Sequence, residues 1–240
     1  MEKKKTDVLQ PVDDSVRRQA KALIATARHA ALGTVDAETG APFVSRIAIA
    51  TQADGSPGFL ISALAAHHGN LVRDPRCALL VGEPGKGDPL AHPRMTLMGR
   101  AAPLAGHALA SFSARYRSRN PKSKLYETLP DFSYWGFRAE RISLNGGFGK
   151  AYALSPSDIA IRLDGAPDWG EFEADLVARV AALENDMAHR LSRLVADLEP
   201  GWKIACIDME GADLVRGDAV RRAWFDASIS SRADIATLLS

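Results

Sequence analysis

The 240-residue chain has only two cysteines, Cys77 and Cys206, far apart in sequence and each set in an apolar run. That excludes a disulfide-stapled scaffold, and with no ligand cluster around either thiol it argues against a structural metal. Charge of one sign is also missing: 30 Lys and Arg stand against 29 Asp and Glu, a formal net charge of +1. No global field then favours nucleic acid or an anionic membrane, and any anion site must be local. No stretch reaches the length of a membrane span, and no apolar segment follows the three N-terminal lysines to make a secretory signal. The expected location is the cytoplasm. The glycine-dense stretch with Gly146, Gly147 and Gly149 lacks both the P-loop Lys-Ser/Thr and the spacing of a dinucleotide fingerprint, so a tight turn is expected there.

What is present suffices for a large buried core, since 46% of the residues are hydrophobic. Residues 1–14 read as a flexible arm, and Asp14 or Ser15 as the cap of a helix whose Val16, Ala20, Leu23, Ile24 and Ala27 share one face. From Ala30 the pattern changes to short strands separated by the turn pieces AETG and ADGSPG, predicting consecutive antiparallel hairpins. A helix of about two turns follows Ser62, with Leu64, Leu71 and Val72 as its expected apolar contacts. RCALLVG reads as a buried strand, RMTLMGRAAPL as a long one, and a further helix has Ala108, Phe112, Arg115 and Tyr116 at helical spacing. The basic run Arg115, Arg117, Arg119, Lys122 and Lys124 offers an anion-binding surface or, more simply, a solvated face. The first domain is assigned to residues 15–154, a linker to 155–170 and a small α+β module to 171–240. In that module a helix is expected over about 172–198, then a strand pair hinged at Glu210 and Gly211, then a closing helix.

The stretch Pro42–Leu80 concentrates the chemistry. Strand alternation puts Val44, Arg46, Ala48 and Ala50 on one face and Phe43, Ser45, Ile47 and Ile49 on the other. Arg46 amid so much apolar surface needs an anionic partner, either a ligand or a protein carboxylate. With Ser62 at the end of the next strand and His67 and His68 at a helix start, it would form an anion pocket. Adjacent histidines on a helix diverge, and no carboxylate or cysteine completes a zinc set, so metal binding is not expected.

The segments PFVSRIAIA, LISALAAHHGNLVRDPRCALLV, MTLMGRA, LNGGFGKAYAL and IACIDMEGADLVRG, in this order, resemble the pyridoxamine 5'-phosphate oxidase-like, FMN-binding split β-barrel family. They are most similar to its haem-utilisation branch. The resemblance implies a mainly β fold with some α, a split β-barrel carrying a smaller C-terminal α+β domain. It further implies a homodimer with sites at the interface and a small-molecule ligand. By correspondence with flavin-binding members, Arg46, Ser62, His67, His68 and Asn70 would hold the FMN phosphate, with Arg94 and Thr96 approaching from the long strand. The oxidase has an Arg-Lys pair where this chain has His67 and His68, and its substrate residues have no equivalent after Arg141, so vitamin B6 oxidation is not expected. An FMN-dependent redox protein acting on an unknown small molecule is the first reading. The alternatives are a haem-binding or haem-degrading protein, with Arg138, Arg141 and Lys150 facing the propionates, and a cofactor-free binding protein.

Overall fold

The computed structural model describes residues 9–163, 169, 170, 172–174, 177 and 201–225. The helix expected over 172–198 and the closing helix lie largely or wholly outside these residues. Helix α1 (Asp14–Thr26) is capped one residue earlier than expected, by Asp13, whose carboxylate accepts from the Val16 N–H at 2.9 Å. Val16, Ala20 and Ile24, spaced by four, turn into the core.

Strands β1 (His29–Val35), β2 (Pro42–Thr51), β3 (Pro57–Ser62), β4 (Arg76–Val81), β5 (Arg94–Pro103) and β6 (Phe132–Asn145) pair antiparallel in the order β3-β2-β1-β4-β5-β6. A further β3–β6 pairing closes them into a six-stranded barrel. Closure leaves none of the six with an unpaired edge, and β7 (Ala151–Leu154) extends the sheet beside the end of β6. Inward residues at every second position, among them Leu32, Ile49, Phe59, Leu79, Leu97, Phe137 and Leu144, fill the interior with the apolar face of α1 and with Leu71 of α2 (Ala66–Arg73). Each large side chain buried this way contributes roughly 1.5–3 kcal/mol.

Two expectations for α2 and β4 change. Leu64 and Val72 are exposed, 88% and 65%, so Leu71 alone of the three anchors α2. Strand β4 alternates rather than being buried throughout, leaving Leu80 44% exposed. The reason is the same for both elements: they cover or form the barrel wall, and a wall has an outside.

Helix α3 (Gly106–Arg119) packs across the outside of β2, β3 and β6, where Phe112 and Tyr116 meet Ala50, Leu60 and Tyr134. Gly58 of β3 makes room for it, since a Cβ there would lie 2.5 Å from the Phe112 ring. The basic run splits at this helix: Arg115 and Arg119 are each 3% exposed and bonded to carboxylates, instead of forming a solvated face.

The segment assigned to a linker packs at its start. Ser155 caps the short helix α4 (Pro156–Ile159), Asp158 binds Arg17 at 2.8 Å, and Ile159 and Ile161 are buried. Beyond it, β8 (Lys203–Asp208), β9 (Gly211–Arg216) and β10 (Ala219–Trp224) form a separate antiparallel sheet. The strand pair was expected; β10 was not. Its own apolar set includes Trp169, Ile207, Met209 and Leu214. No helix among the described residues is long and apolar enough to cross a membrane.

Candidate functional site

Where α3 does not cover it, the outside of β2, β1, β4, β5 and β6 forms an open face. Strand register sets two rows across it. One runs Arg46, Ala31, Leu80, Thr96 and Ser143, the other Val44, Gly33, Ala78, Met98 and Arg141. Small residues on β1 and β4 make a low apolar floor, with Val44 67% exposed and Leu80 half-exposed on it. Arginines stand at its margins: Arg46 on β2 and Arg141 on β6, both exposed. Five strands at about 4.8 Å spacing put roughly 19 Å between those margins along the sheet. Arg46 forms no ion pair with any described residue, so of the two partners its position called for, the protein carboxylate is not found among them.

The residues assigned to a phosphate pocket divide into two groups. Arg46 and Thr96 share the open face, three strands apart in the same row. Ser62, His67, His68 and Asn70 are engaged within the protein. The Ser62 hydroxyl donates to Asp131 Oδ2 at 2.5 Å and accepts from the Leu64 N–H at 3.1 Å. His67 Nδ1 lies 3.1 Å from the Ser45 hydroxyl, on the inward side of β2 and away from Arg46. Partial burial, and next the neighbouring His68, push the His67 imidazole below its ordinary value, so it is neutral at pH 7. The His68 ring meets Trp135 edge to face at 5.6 Å.

Asn70 is buried and uses both ends of its amide. Its Nδ2 donates to Thr34 Oγ1 at 3.0 Å and its Oδ1 accepts from the Ala37 N–H at 2.9 Å, tying α2 to the end of β1. Arg94 Nη1 donates to the Leu90 and His92 carbonyls at 3.1 and 3.4 Å, bracing the loop that precedes β5. The arrangement is a polar plug under α2 beside an open, arginine-edged apolar face.

Several contributors escape sequence reasoning. Asp131 lies 69 residues from Ser62, and nothing local announces the pair. Ser45 shares a face with Ile47 and Ile49, as the alternation of β2 indicates, but its imidazole partner depends on how α2 closes the barrel end. His29 starts β1 on the same side as Ala31, with Nδ1 3.3 Å from Glu83 Oε1. Among the described residues no group of three or more His, Cys, Asp or Glu is placed to hold a metal ion.

Comparison with known proteins agrees with this architecture. The family pattern of pyridoxamine 5'-phosphate oxidase matches residues 16–146, more than half of the chain. A protein of unknown function from Agrobacterium tumefaciens is 30% identical and superposes with a TM-score of 0.84, covering 98% of each chain. A haem-binding protein from Mycobacterium smegmatis is 25% identical with a TM-score of 0.58, covering 96% of each. A non-canonical haem oxygenase of Arabidopsis thaliana chloroplasts is 30% identical over 114 residues, which is 47% of this chain and 34% of that protein. With a closed six-stranded barrel and a family match that runs through all six strands, the chain belongs to the pyridoxamine 5'-phosphate oxidase family of split barrels.

Proposed function

We propose that this protein binds haem on the open face of the barrel, within a homodimer. The observation that carries the reading is the division of the phosphate pocket. Where flavin-binding members place fixed cations, this chain has His68 against Trp135 and a neutral, inward-turned His67, while Ser62 and Asn70 are bonded internally. Little is left there to hold a phosphate dianion except Arg46.

The open face suits a flat, largely apolar group with one acidic edge. Ala31, Gly33 and Ala78 let a ring lie close to the strands, and Arg46 at one margin stands where the propionates, which leave haem from a single edge, would reach. His29 supplies an imidazole whose Nδ1 faces Glu83, which leaves Nε2 for an iron. A second copy of the chain would cover exposed Val44 and Leu80. Two similar proteins, a haem-binding one and a haem oxygenase, support the choice. When bound, haem would supply the redox chemistry, and this chain would bind, orient and shield it.

FMN is the second reading, favoured by Arg46 and Thr96 sharing one row of the face. Titration of the purified protein with hemin and, separately, with FMN decides between them. A saturable Soret band with no flavin uptake is expected. Micromolar FMN binding abolished by Arg46→Ala, without hemin binding, would overturn the haem reading in favour of flavin. Sedimentation velocity is expected to give a dimer, and a monomer at all concentrations would exclude an interface site.

A further inference from the structure

Helix α3 faces two ways. Phe112 and Tyr116 pack against the barrel wall, whereas Arg115 and Arg119 enter a buried cluster that reaches the C-terminal sheet. Arg115 donates from Nε to the Thr51 carbonyl at 2.9 Å, at the end of β2. Its Nη1 donates to Glu173 Oε1 at 2.5 Å and to the Ile207 carbonyl of β8 at 3.0 Å. Glu173 Oε1 accepts in turn from the Ile207 N–H at 2.8 Å.

Arg119 holds the other side. It donates to the Ala25 carbonyl and, at 3.0 Å, to the Ala27 carbonyl, filling acceptors left open where α1 ends. The same guanidinium donates to Asp213 Oδ2 of β9 at 2.6 Å. The second oxygen of Asp213 takes Arg222 of β10 at 2.9 Å, and Arg222 reaches Asp208 of β8 at 2.6 Å. Asp208 also accepts from the Glu210 and Gly211 N–H groups, fixing the β8–β9 turn. Lys21 with Glu210 at 2.6 Å and Arg28 with Asp218 at 2.5 Å close the margin.

Three buried arginines and three buried carboxylates therefore balance, with partners drawn from α1, β2, α3, β8, β9 and β10. Such a set has little net worth over an apolar contact, yet breaking it from one side strands a buried charge. Neither the barrel nor the sheet carries the balance alone.

We infer that the C-terminal sheet is a clasp: through Arg115 and Arg119 of α3 it locks the end of α1 and the end of β2, so that the three places open together. This gives the C-terminal module a role in holding the barrel wall, independent of which cofactor the open face takes. Opening of the sheet strips both arginines of their carboxylates, and the buried guanidinium charges left behind turn to water, so the α1 and β2 ends that they hold loosen in the same event.

Hydrogen exchange read by mass spectrometry on the full-length protein tests the clasp, comparing wild type with Asp213→Ala and Glu173→Gln. The glutamine variant keeps the side-chain shape and the acceptor for the Ile207 N–H, and removes only the charge. Exchange in peptides covering 203–216, 20–28 and 47–53 is expected to speed up together by about a hundredfold or more, with β4 and β5 unchanged. If Asp213→Ala does not fold, Glu173→Gln alone carries the comparison. Faster exchange confined to 203–216, faster exchange spread evenly over the whole barrel, or no change in the glutamine variant would overturn the inference.

Discussion

Replacing Asn70 with alanine separates a structural role from a cofactor-binding one. The side chain is 3% exposed, and each end of its amide has a partner: Thr34 Oγ1 at 3.0 Å and the Ala37 N–H at 2.9 Å. Each of the two bonds contributes about 1 kcal/mol net, and truncation also leaves a small gap beneath α2. The expected loss is about 2–4 kcal/mol. For a chain of this size that lowers the midpoint of thermal unfolding by about 5–12 °C. Urea unfolding of the full-length protein measures the change directly, and hemin and FMN titrations at 10 °C read ligand affinity while the fold persists. Adding Thr34→Val should cost about 1 kcal/mol less than the two single losses summed, because the shared bond can be lost only once. A stability loss under 1 kcal/mol with a tenfold drop in cofactor affinity would refute this account and return Asn70 to the ligand site.

Acidification should weaken the barrel end under α2. The His67 imidazole is held below its ordinary value in the fold, so the unfolded chain binds more protons at pH values under about 6.5. Its contribution is therefore complete above about pH 6.5 and is lost as pH falls through the lower folded value. An NMR titration should place the His67 midpoint below that of an exposed histidine, and a midpoint above 6.5 would contradict the burial. Gly58→Ala should destabilise by about 1–3 kcal/mol because the new methyl would meet the Phe112 ring at 2.5 Å, and Phe112→Leu in the same chain should recover part of the loss. Urea midpoints test this, and an unchanged midpoint would show that α3 shifts at no cost. Burial pushes both the Cys77 and the Cys206 thiol up to about 12, so neither should react with a disulfide reagent at pH 8 until the protein unfolds. Rapid labelling of the native protein would refute it.

Much of the barrel is legible in local pattern because strand alternation and turn chemistry are short-range properties. The alternation of β2 puts Arg46 on one face and Ser45, Ile47 and Ile49 on the other, and the barrel turns the second face inward. Register across five strands is not local. It brings Arg46, Ala31, Leu80 and Thr96 into one row, although they are spread over 66 residues of chain. The arginines of α3 show the opposite limit. A run of basic residues reads as solvated because charge is costly to bury, and the carboxylates that remove the cost, Glu173 and Asp213, lie 58 and 94 residues away.

By itself the sequence determined the fold, since its hydrophobic periods, turn residues and segment order are compatible with this barrel. It also determined which residue types were available for an anion or a flat cofactor. Only tertiary structure decided which of them lie on the open face. Closure of the barrel turned His67 and Asn70 inward to Ser45 and Thr34, left Arg46 outside, and buried Arg115 and Arg119 under the C-terminal sheet. The physical reason is that a side chain's role depends on the dielectric and the partners around it, and long-range pairing sets both.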